Sequence, residues 1–198
     1  MNSLLTAENK RMLRARCRER RKSLTPAQRT RFDTHINNTL IASDILLSVR
    51  CISAYCAFDG EPDIAPALHV MHQRGQQICL PVIDQANQTM AMYPWSPATA
   101  LNPGALGIME PDTSIPVAGN ELDVVLMPLV AWDGLGNRIG MGGGFYDRYL
   151  SDLKGSDRPL KLGVAYDLQS VDRVPALAHD IGLHALVSES GWSQFTQQ

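Results

Sequence analysis

Residues 138 to 148, RIGMGGGFYDR, combine a run of glycines with charged and aromatic side chains. Four of the five residues from Gly140 to Gly144 are glycine. Each glycine costs roughly 0.5–1 kcal/mol more than alanine in conformational entropy when the chain folds. A run of glycines is therefore typical of a site where the backbone approaches a partner so closely that side chains would be in the way. Successive glycine N–H groups ahead of a helix form a cradle for phosphate. Arg138 can add a charge-assisted hydrogen bond to the same anion.

One carboxylate and two basic side chains could act on that anion as well. Asp147 follows the glycines, and an acid beside a phosphate commonly shares a divalent cation with it. Lys10 and Arg14 are i,i+4 neighbours in a predicted helix, so both can point at one ligand. Neither a Walker A loop nor a GxGxxG loop fits, because Phe145 follows Gly144. The alternative interpretation is a flexible connector.

Basic charge is concentrated at the N-terminus. Residues 1 to 31 contain ten of the 18 Lys and Arg but two of the 20 Asp and Glu, so they carry +8 and the remainder carries −10. Such a segment favours a partner that is a nucleic acid, a membrane or a phosphate compound. The alternative, for most of these charges, is a solvated helix face. The segment has no interleaved aromatic residues for stacking on bases, which weakens the nucleic-acid hypothesis.

Composition narrows the class of protein. No apolar run approaches the roughly 20 residues of a membrane span, and the N-terminus lacks the apolar core of a signal peptide. The four cysteines form no CxxC pair and no zinc-type spacing with histidine. We therefore expect a reduced, cytoplasmic protein with no membrane or nucleic-acid partner, and we expect a monomer.

Strand and helix patterns alternate along the chain. A helix is predicted over residues 7–22 with Thr6 as N-cap, and a second begins at Pro26 with Thr25 and Gln28 as a capping box. The other predicted elements are strands over 49–58, 76–83, 89–95, 122–132 and 160–166, helices over 63–75 and 145–153, an edge strand at 184–189, and a loop over 100–111.

This alternation predicts an α/β fold with a mostly parallel sheet and helices on both faces. The nearly continuous apolar run over 122–132 is typical of a central strand. We expect one domain over residues 1–198, with the basic N-terminal helices, about 7–45, packed on the α/β core. The glycine run would then follow a central strand, at the sheet edge where ligands bind in such folds.

The glycine run and its flanks resemble the signature of a known family. GNRIGMGGGFYDRYL, preceded by MPLVAWD and GALGIMEP, is similar to the 5-formyltetrahydrofolate cyclo-ligase (methenyltetrahydrofolate synthetase) signature. KRMLR near the N-terminus, FDGEPD at 58–63 and VPALAHDIGLHALV at 174–187 resemble further motifs of that family. The likeness runs in order from about Lys10 to about Val187.

The resemblance implies a fold of the sugar-phosphate isomerase and CoA-transferase type. It also implies ATP- and Mg²⁺-dependent cyclisation of 5-formyltetrahydrofolate to 5,10-methenyltetrahydrofolate, with release of ADP and phosphate. In that reaction the formyl oxygen attacks the γ-phosphate, and N10 then closes the ring and expels phosphate. Two alternatives remain open at this point, namely a phosphosugar isomerase-like enzyme and a nucleic-acid-binding module.

Site residues follow from the resemblance by position. Arg138 and Asp147 would be catalytic, and Asp147 and Asp180 would hold Mg²⁺. Glu61 would bind the pterin ring, although a solvated loop carboxylate is the alternative, as a helix cap or surface acid is for Asp180. The implied ATP contacts are Lys10, Arg14, Arg138, Ile139, Gly140, Met141, Gly142, Gly143, Gly144, Phe145 and Tyr146. The implied folate contacts are Cys56, Glu61, Met141, Gly142, Gly143, Gly144 and Phe145.

Two positions depart from the family pattern. Phe145 stands where many members have tyrosine, so no hydroxyl is present there. Gly143 stands where some members have lysine, which leaves more phosphate charge to Arg138, Lys10 and Mg²⁺.

Overall fold

A computed structural model of the protein describes residues 3–153 and 159–196. Five α-helices occur in these ranges: α1 Ser3–Lys22, α2 Pro26–Ala42, α3 Asp44–Leu47, α4 Ala65–Gln73 and α5 Phe145–Ser151. The strands in the same ranges are β1 Cys51–Ser53, β2 Gln77–Asp84, β3 Thr89–Trp95, β4 Leu101–Pro103, β5 Met109–Pro111, β6 Val124–Pro128, β7 Ala131–Trp132, β8 Arg138–Ile139, β9 Leu160–Val164, β10 Ala185–Ser188 and β11 Gly191–Gln194.

Seven strands form one mixed sheet in the order β11-β10-β9-β6-β1-β2-β3. The five inner strands run parallel, and β3 and β11 pair antiparallel at the two edges. The predicted α/β class and mostly parallel sheet are confirmed, and β6 is the middle strand, as its apolar run predicted. The predicted edge strand is wrong in one respect, because β11 lies outside β10 and takes the edge.

Apolar side chains fill both faces of this sheet. On one face α2 and α4 pack on the strands through Ile36, Leu40 and Met71, all fully buried. On the other face α5 packs through Leu150 against buried residues such as Met127. Alternate residues of each strand point to opposite faces, so a strand buried on both sides must be apolar throughout. Helices thus lie on both faces, as predicted.

The first helix lies across the carboxyl ends of the central strands. Cys17 is fully buried there and packs with Val130, Ala131 and Ile139. The helix begins at Ser3, so the prediction of Thr6 as N-cap is wrong; Thr6 is a buried residue within the helix. The capping box at the start of α2 is confirmed, with Thr25 Oγ1 accepting from Gln28 N.

Several predicted boundaries need correction. The strand expected over 49–58 ends at Ser53, because the chain then turns into a loop that Tyr55 fixes by donating its hydroxyl to Pro62 O at 2.9 Å. The run 122–132 is divided between β6 and β7. The loop predicted over 100–111 contains a small hairpin, since β4 and β5 pair across a turn at Gly107, φ +74°. In the described ranges, no helix is both long and apolar enough to cross a membrane.

Candidate functional site

The glycine segment (Gly140–Gly144) directly follows a short hairpin made of β7 and β8. The hairpin turn is held by Asp133, which is fully buried and accepts hydrogen bonds from the backbone N–H groups of Leu135 and Asn137, both at 3.0 Å. Its second oxygen accepts from Val174 N at 2.9 Å. A buried carboxylate with three backbone donors is strongly satisfied. The hairpin therefore fixes where Arg138 and the glycines emerge from the fold.

Two glycines in this segment adopt conformations that other residues avoid. Gly142 has φ +111° and Gly144 has φ +68°. The segment is braced by Arg14, whose Nε donates to Gly140 O at 2.8 Å. Burial lowers the pKa of the Arg14 guanidinium, while the charge of Asp180 raises it. Helix α1 and the glycine segment thus form one wall, as their predicted common ligand requires.

Two ion pairs join the predicted phosphate-binding cations to the predicted metal-binding acids. Lys10 Nζ donates to Asp180 Oδ2 at 2.5 Å, and Arg138 Nη2 donates to Asp147 Oδ1 at 2.8 Å. Asp147 Oδ1 also accepts from the backbone N–H of Ile181 at 3.0 Å. All four side chains are at least three-quarters buried. Segments far apart in sequence therefore meet at one point, as the family motifs implied.

Asp180 has a structural role as well. Its Oδ2 accepts from the backbone N–H of Leu177 at 2.6 Å and so closes the turn before β10. In the described ranges no helix adjoins this turn, so the helix-cap alternative is wrong, and the side chain is mostly buried, so the surface-acid alternative is wrong as well. The hydrogen bond from Leu177 gives Asp180 a turn-closing role instead. It does not oppose metal binding, because a carboxylate has two oxygens and several lone-pair directions.

The second part of the site is the Asp59 loop, residues 58–62. Asp59 and Gly60 both have positive φ, +50° and +80°. Glu61 closes the loop on itself, because its N–H donates to Phe58 O at 3.0 Å and its Oε2 accepts from Phe58 N at 3.1 Å. Glu61 is 7% exposed, so the solvated-loop alternative is wrong. Burial raises the pKa of Glu61 to about 7, against the lowering effect of Arg21.

A single cavity of about 790 Å³ contains every residue that the sequence assigned to the site. Its wall includes Lys10, Arg14, Cys56, Glu61, Arg138, Ile139, Gly140, Met141, Gly142, Gly143, Gly144, Phe145, Tyr146, Asp147 and Asp180. Apolar side chains, among them Phe58, Leu106 and Ile108, complete the wall beside the Asp59 loop. A shallow depression of about 840 Å³ on the β2–β3 hairpin contains none of the predicted residues.

The cavity wall contains buried polar atoms that have no hydrogen-bond partner among the described residues. These atoms include Arg138 Nε and the Tyr146 hydroxyl. Buried polar groups are nearly always paired, so such atoms indicate partners that the protein itself does not supply. Burial raises the pKa of both Tyr146 and Cys56, which keeps the phenol and the thiol protonated at neutral pH.

The sequence interpretation missed Arg21. Three cations of α1, Arg18, Arg21 and Lys22, reach Asp59 at 2.7, 3.1 and 2.6 Å. The hydrogen bond from Arg18, the largest cause, holds the pKa of Asp59 well below its usual range. Arg21 itself is completely buried, so a solvated helix face is wrong for this residue. Spacing contained a signal: Lys10, Arg14, Arg18 and Arg21 follow at intervals of four, four and three, which is one face of a helix.

Comparison with known proteins identifies the family. The model of the 5-formyltetrahydrofolate cyclo-ligase family matches residues 6–189. The 5-formyltetrahydrofolate cyclo-ligase of Escherichia coli K12 is 32% identical over 87% of this chain and 96% of its own. The 5-formyltetrahydrofolate cyclo-ligase of Haemophilus influenzae is 28% identical over 90% of this chain and 97% of its own. The NMR structure of Aquifex aeolicus 5,10-methenyltetrahydrofolate synthetase matches with a TM-score of 0.81 and 32% identity over 96% of this chain and 94% of that one. The chain belongs to the 5-formyltetrahydrofolate cyclo-ligase family.

Proposed function

We propose that the cavity between the glycine segment and the Asp59 loop is the active site of this 5-formyltetrahydrofolate cyclo-ligase, with ATP beside the glycines and the folate beside Glu61. The chain is an ATP-dependent ligase acting on folate in one-carbon metabolism. One observation carries the placement: residues from α1, the Asp59 loop, the glycine segment and the turn at Asp180 all line a single cavity.

ATP is proposed to bind where cations and backbone donors converge. Lys10, Arg14 and Arg138 lie around the glycine segment and supply three positive charges for a triphosphate. Met141 and Gly142 are exposed to the cavity mouth, so their backbone can approach a phosphate directly. In the ligand-free protein, Lys10 and Arg138 are neutralised by Asp180 and Asp147. Phosphate oxygens would compete with these acids for the same donors.

The folate is proposed to bind with its pterin ring at Glu61. An ionised carboxylate has only acceptors and so suits the N–H and amino donors of a pterin. Cys56, Phe58 and Leu106 add a thiol and apolar surface around the same part of the cavity. A mostly apolar wall with a few convergent polar groups is typical of a small-molecule site.

Catalysis then depends on position and charge. The formyl oxygen attacks the γ-phosphorus, ADP leaves, and N10 adds to the activated carbon and expels phosphate. Such phosphoryl transfer needs alignment of the two substrates and neutralisation of charge more than covalent help from the protein. Arg138 is proposed for this task, and two observations support it: its Nη2 contacts Asp147, and its buried Nε has no partner among the described residues.

Asp147 and Asp180 are proposed to hold Mg²⁺ together with phosphate oxygens. Within the described ranges, no three His, Cys, Asp or Glu side chains cluster as a metal site. That fits Mg²⁺, which takes one or two carboxylates and fills its shell with water and phosphate. The ion would neutralise phosphate charge in this cavity.

Product formation and phosphate release together test the proposal. With Mg-ATP and 5-formyltetrahydrofolate, methenyl absorbance and free phosphate should rise one to one, and neither should rise when one substrate is omitted. Arg138→Met should abolish both signals, whereas Arg173→Met, at an exposed position outside the cavity, should preserve them. Phosphate release without folate, or full activity of Arg138→Met, would contradict the placement.

Four further expectations remain proposals. We propose one domain over residues 1–198, a monomer, a cytoplasmic location, and a sheet related to the sugar-phosphate isomerase and CoA-transferase type. Of the three functional interpretations of the sequence, the cyclo-ligase is the correct one. Three of the ten basic residues that suggested a nucleic-acid partner bind the protein itself, since Arg14 donates to Gly140 O and both Arg18 and Arg21 donate to Asp59.

A further inference from the structure

Arg21 is the one fully buried arginine among those described, and no step proposed above uses it. It lies at the carboxyl end of α1, one residue before the helix ends. A buried guanidinium is costly unless its donors are paired. The hydrogen-bond partners of Arg21 therefore indicate the role of this buried guanidinium.

Those partners are the Asp59 loop and the end of the central strand. Arg21 Nε donates to Asp59 O at 3.1 Å, Nη2 to Asp59 Oδ2 at 3.1 Å, and Nη1 to Leu129 O at 3.3 Å. Its own carbonyl accepts from Arg29 Nη2 at 2.9 Å, and Arg29 Nη1 donates to Gly60 O at 2.7 Å. Two arginines thus hold the two residues whose φ is positive, directly before Glu61.

The same guanidinium lies beside Glu61. Arg21 Nη1 is 3.9 Å from Glu61 Oε1, with both side chains at most 6% exposed. The other ionisable group that acts on Glu61 is Asp59 in its own loop. Two tyrosines, Tyr55 after β1 and Tyr146 in α5, lie near enough for the charge of Glu61 to raise their pKa values. Tyr55 and Tyr146 are neutral at neutral pH and Asp59 is negative, so the positive charge that acts on this carboxylate within ion-pair distance, among the residues described, is that of Arg21.

We propose that Arg21 is a positioning residue for folate: it fixes the Asp59 loop to β6 and supplies the charge that keeps Glu61 an ionised acceptor for the pterin. The inference rests on the proposed role of Glu61. Helix α1 then serves both substrates, with Lys10 and Arg14 at the phosphates and Arg21, two to three turns further on, behind the folate-binding carboxylate.

The electrostatics predict a specific kinetic signature. Burial already raises the pKa of Glu61 to about 7, and the charge of Arg21 opposes that rise. Removing the charge must raise this pKa further, so that Glu61 becomes protonated in the neutral range. Folate binding would then weaken at pH 7 and recover as pH increases. ATP binding would change little, because Lys10, Arg14 and Arg138 do not contact Arg21.

Steady-state kinetics of the full-length variants test this inference. Arg21→Met should raise the folate KM at pH 7 by about fivefold, because moving the Glu61 pKa up by about one unit from about 7 lowers the ionised fraction at pH 7 from about one half to about one eleventh. Arg21→Lys keeps the charge without the planar hydrogen bonds, so it should show a smaller pKa shift. Arg16→Met, at an exposed position of the same helix, is the matched control and should leave both KM values unchanged.

Glu61→Gln separates failure of this inference from failure of the Glu61 assignment. If Glu61→Gln raises the folate KM but Arg21→Met and Arg21→Lys leave the pH profile of folate kcat/KM unmoved, the role of Arg21 is wrong. If Glu61→Gln leaves the folate KM unchanged, the Glu61 assignment fails and the inference fails with it. Should Arg21→Met not fold, NMR titration of Glu61 in ¹³C-glutamate-labelled Arg21→Lys decides, and a Glu61 pKa equal to wild type would overturn the proposal.

Discussion

The glycine segment and the Asp59 loop line the same cavity but are held in place differently. Met141, Gly142 and Gly143 are exposed, and the glycine segment is held by two side-chain hydrogen bonds, from Arg14 to Gly140 O and from Arg148 to Gly143 O. The Asp59 loop is fixed by ion pairs on a buried carboxylate, because Asp59 contacts three cations of α1, of which Arg21 is itself buried. An exposed backbone with few contacts can adjust to a large, flexible triphosphate. A loop locked by buried charge presents a fixed edge to a rigid ring.

The first and largest expected effect concerns the cations at the glycine segment. Lys10→Met and Arg14→Met should each weaken ATP binding by about 1.5–3 kcal/mol, the range for hydrogen bonds to charged groups. That is a rise of roughly 10- to 150-fold in the ATP KM. Arg16→Met should change neither KM, since Arg16 is exposed. Equal losses in all three variants would indicate a diffuse positive field in place of a defined binding site.

The metal dependence tests whether the acids belong to the same end of the cavity. Asp147→Asn should raise the Mg²⁺ concentration for half-maximal activity roughly tenfold, because the amide keeps the size but removes the charge. Asp180→Asn should act more mildly on Mg²⁺, and it should lower the melting temperature, since Asp180 also pairs with Lys10 and caps Leu177. Asp172→Asn, at an exposed position, is the control. An unmoved Mg²⁺ titration in Asp180→Asn would leave that residue only its structural role.

Folate kinetics, which depend on Glu61 at the buried end of the cavity, should respond to pH more strongly than ATP kinetics at the glycine segment. Glu61 is ionised above its pKa of about 7 and protonated below it. Folate kcat/KM should therefore fall about tenfold per unit as pH decreases below 7, because a protonated carboxyl is a poorer acceptor for the pterin. Glu61→Gln should lack this pH dependence. A pH profile that Glu61→Gln leaves intact would assign the titration to another group.

Backbone conformation in the glycine segment can be tested with a matched pair of variants. Gly142→Ala places a side chain at φ +111°, whereas Gly140 has no positive φ and open space around it. The alanine at 142 should cost about 1–2 kcal/mol in the ATP-binding conformation. We expect an ATP KM raised roughly 5- to 30-fold for Gly142→Ala and little change for Gly140→Ala. Equal effects of both changes would show that the segment does not need the left-handed conformation.

The same contrast explains what the sequence could predict. The glycine segment was recognised because its signal is local: glycines, Arg138 and Asp147 occupy eleven consecutive positions. The alternation of apolar runs likewise predicted the parallel sheet and its central strand. Arg21 was missed because its partners, Asp59 and Leu129, are 38 and 108 residues away. The helical spacing shows that Arg21 shares a face with Lys10 and Arg14, but its burial depends on how α1 packs on the rest of the fold, which that spacing does not contain.

Boundaries were wrong for a related reason. The apolar run 49–58 has the composition of one strand, but the strand ends at Ser53. Tyr55 lies in the following loop, where it is buried and donates a hydrogen bond to Pro62 O. The β-propensity of a tyrosine reflects its preference for a packed, partly buried position, so it does not distinguish a strand from a packed loop. The Glu61 assignment came from a family motif, whereas its burial and its raised pKa follow from tertiary packing.

The division of one cavity between two substrates is tested most directly by a two-substrate kinetic cycle. KM values for ATP and folate would be measured for wild type, Lys10→Met, Glu61→Gln and the double variant at constant Mg²⁺. We predict that Lys10→Met raises only the ATP KM, that Glu61→Gln raises only the folate KM, and that the double variant shows both changes undiminished. If either single variant raises both KM values by similar factors, ATP and folate do not occupy separate parts of the cavity as proposed.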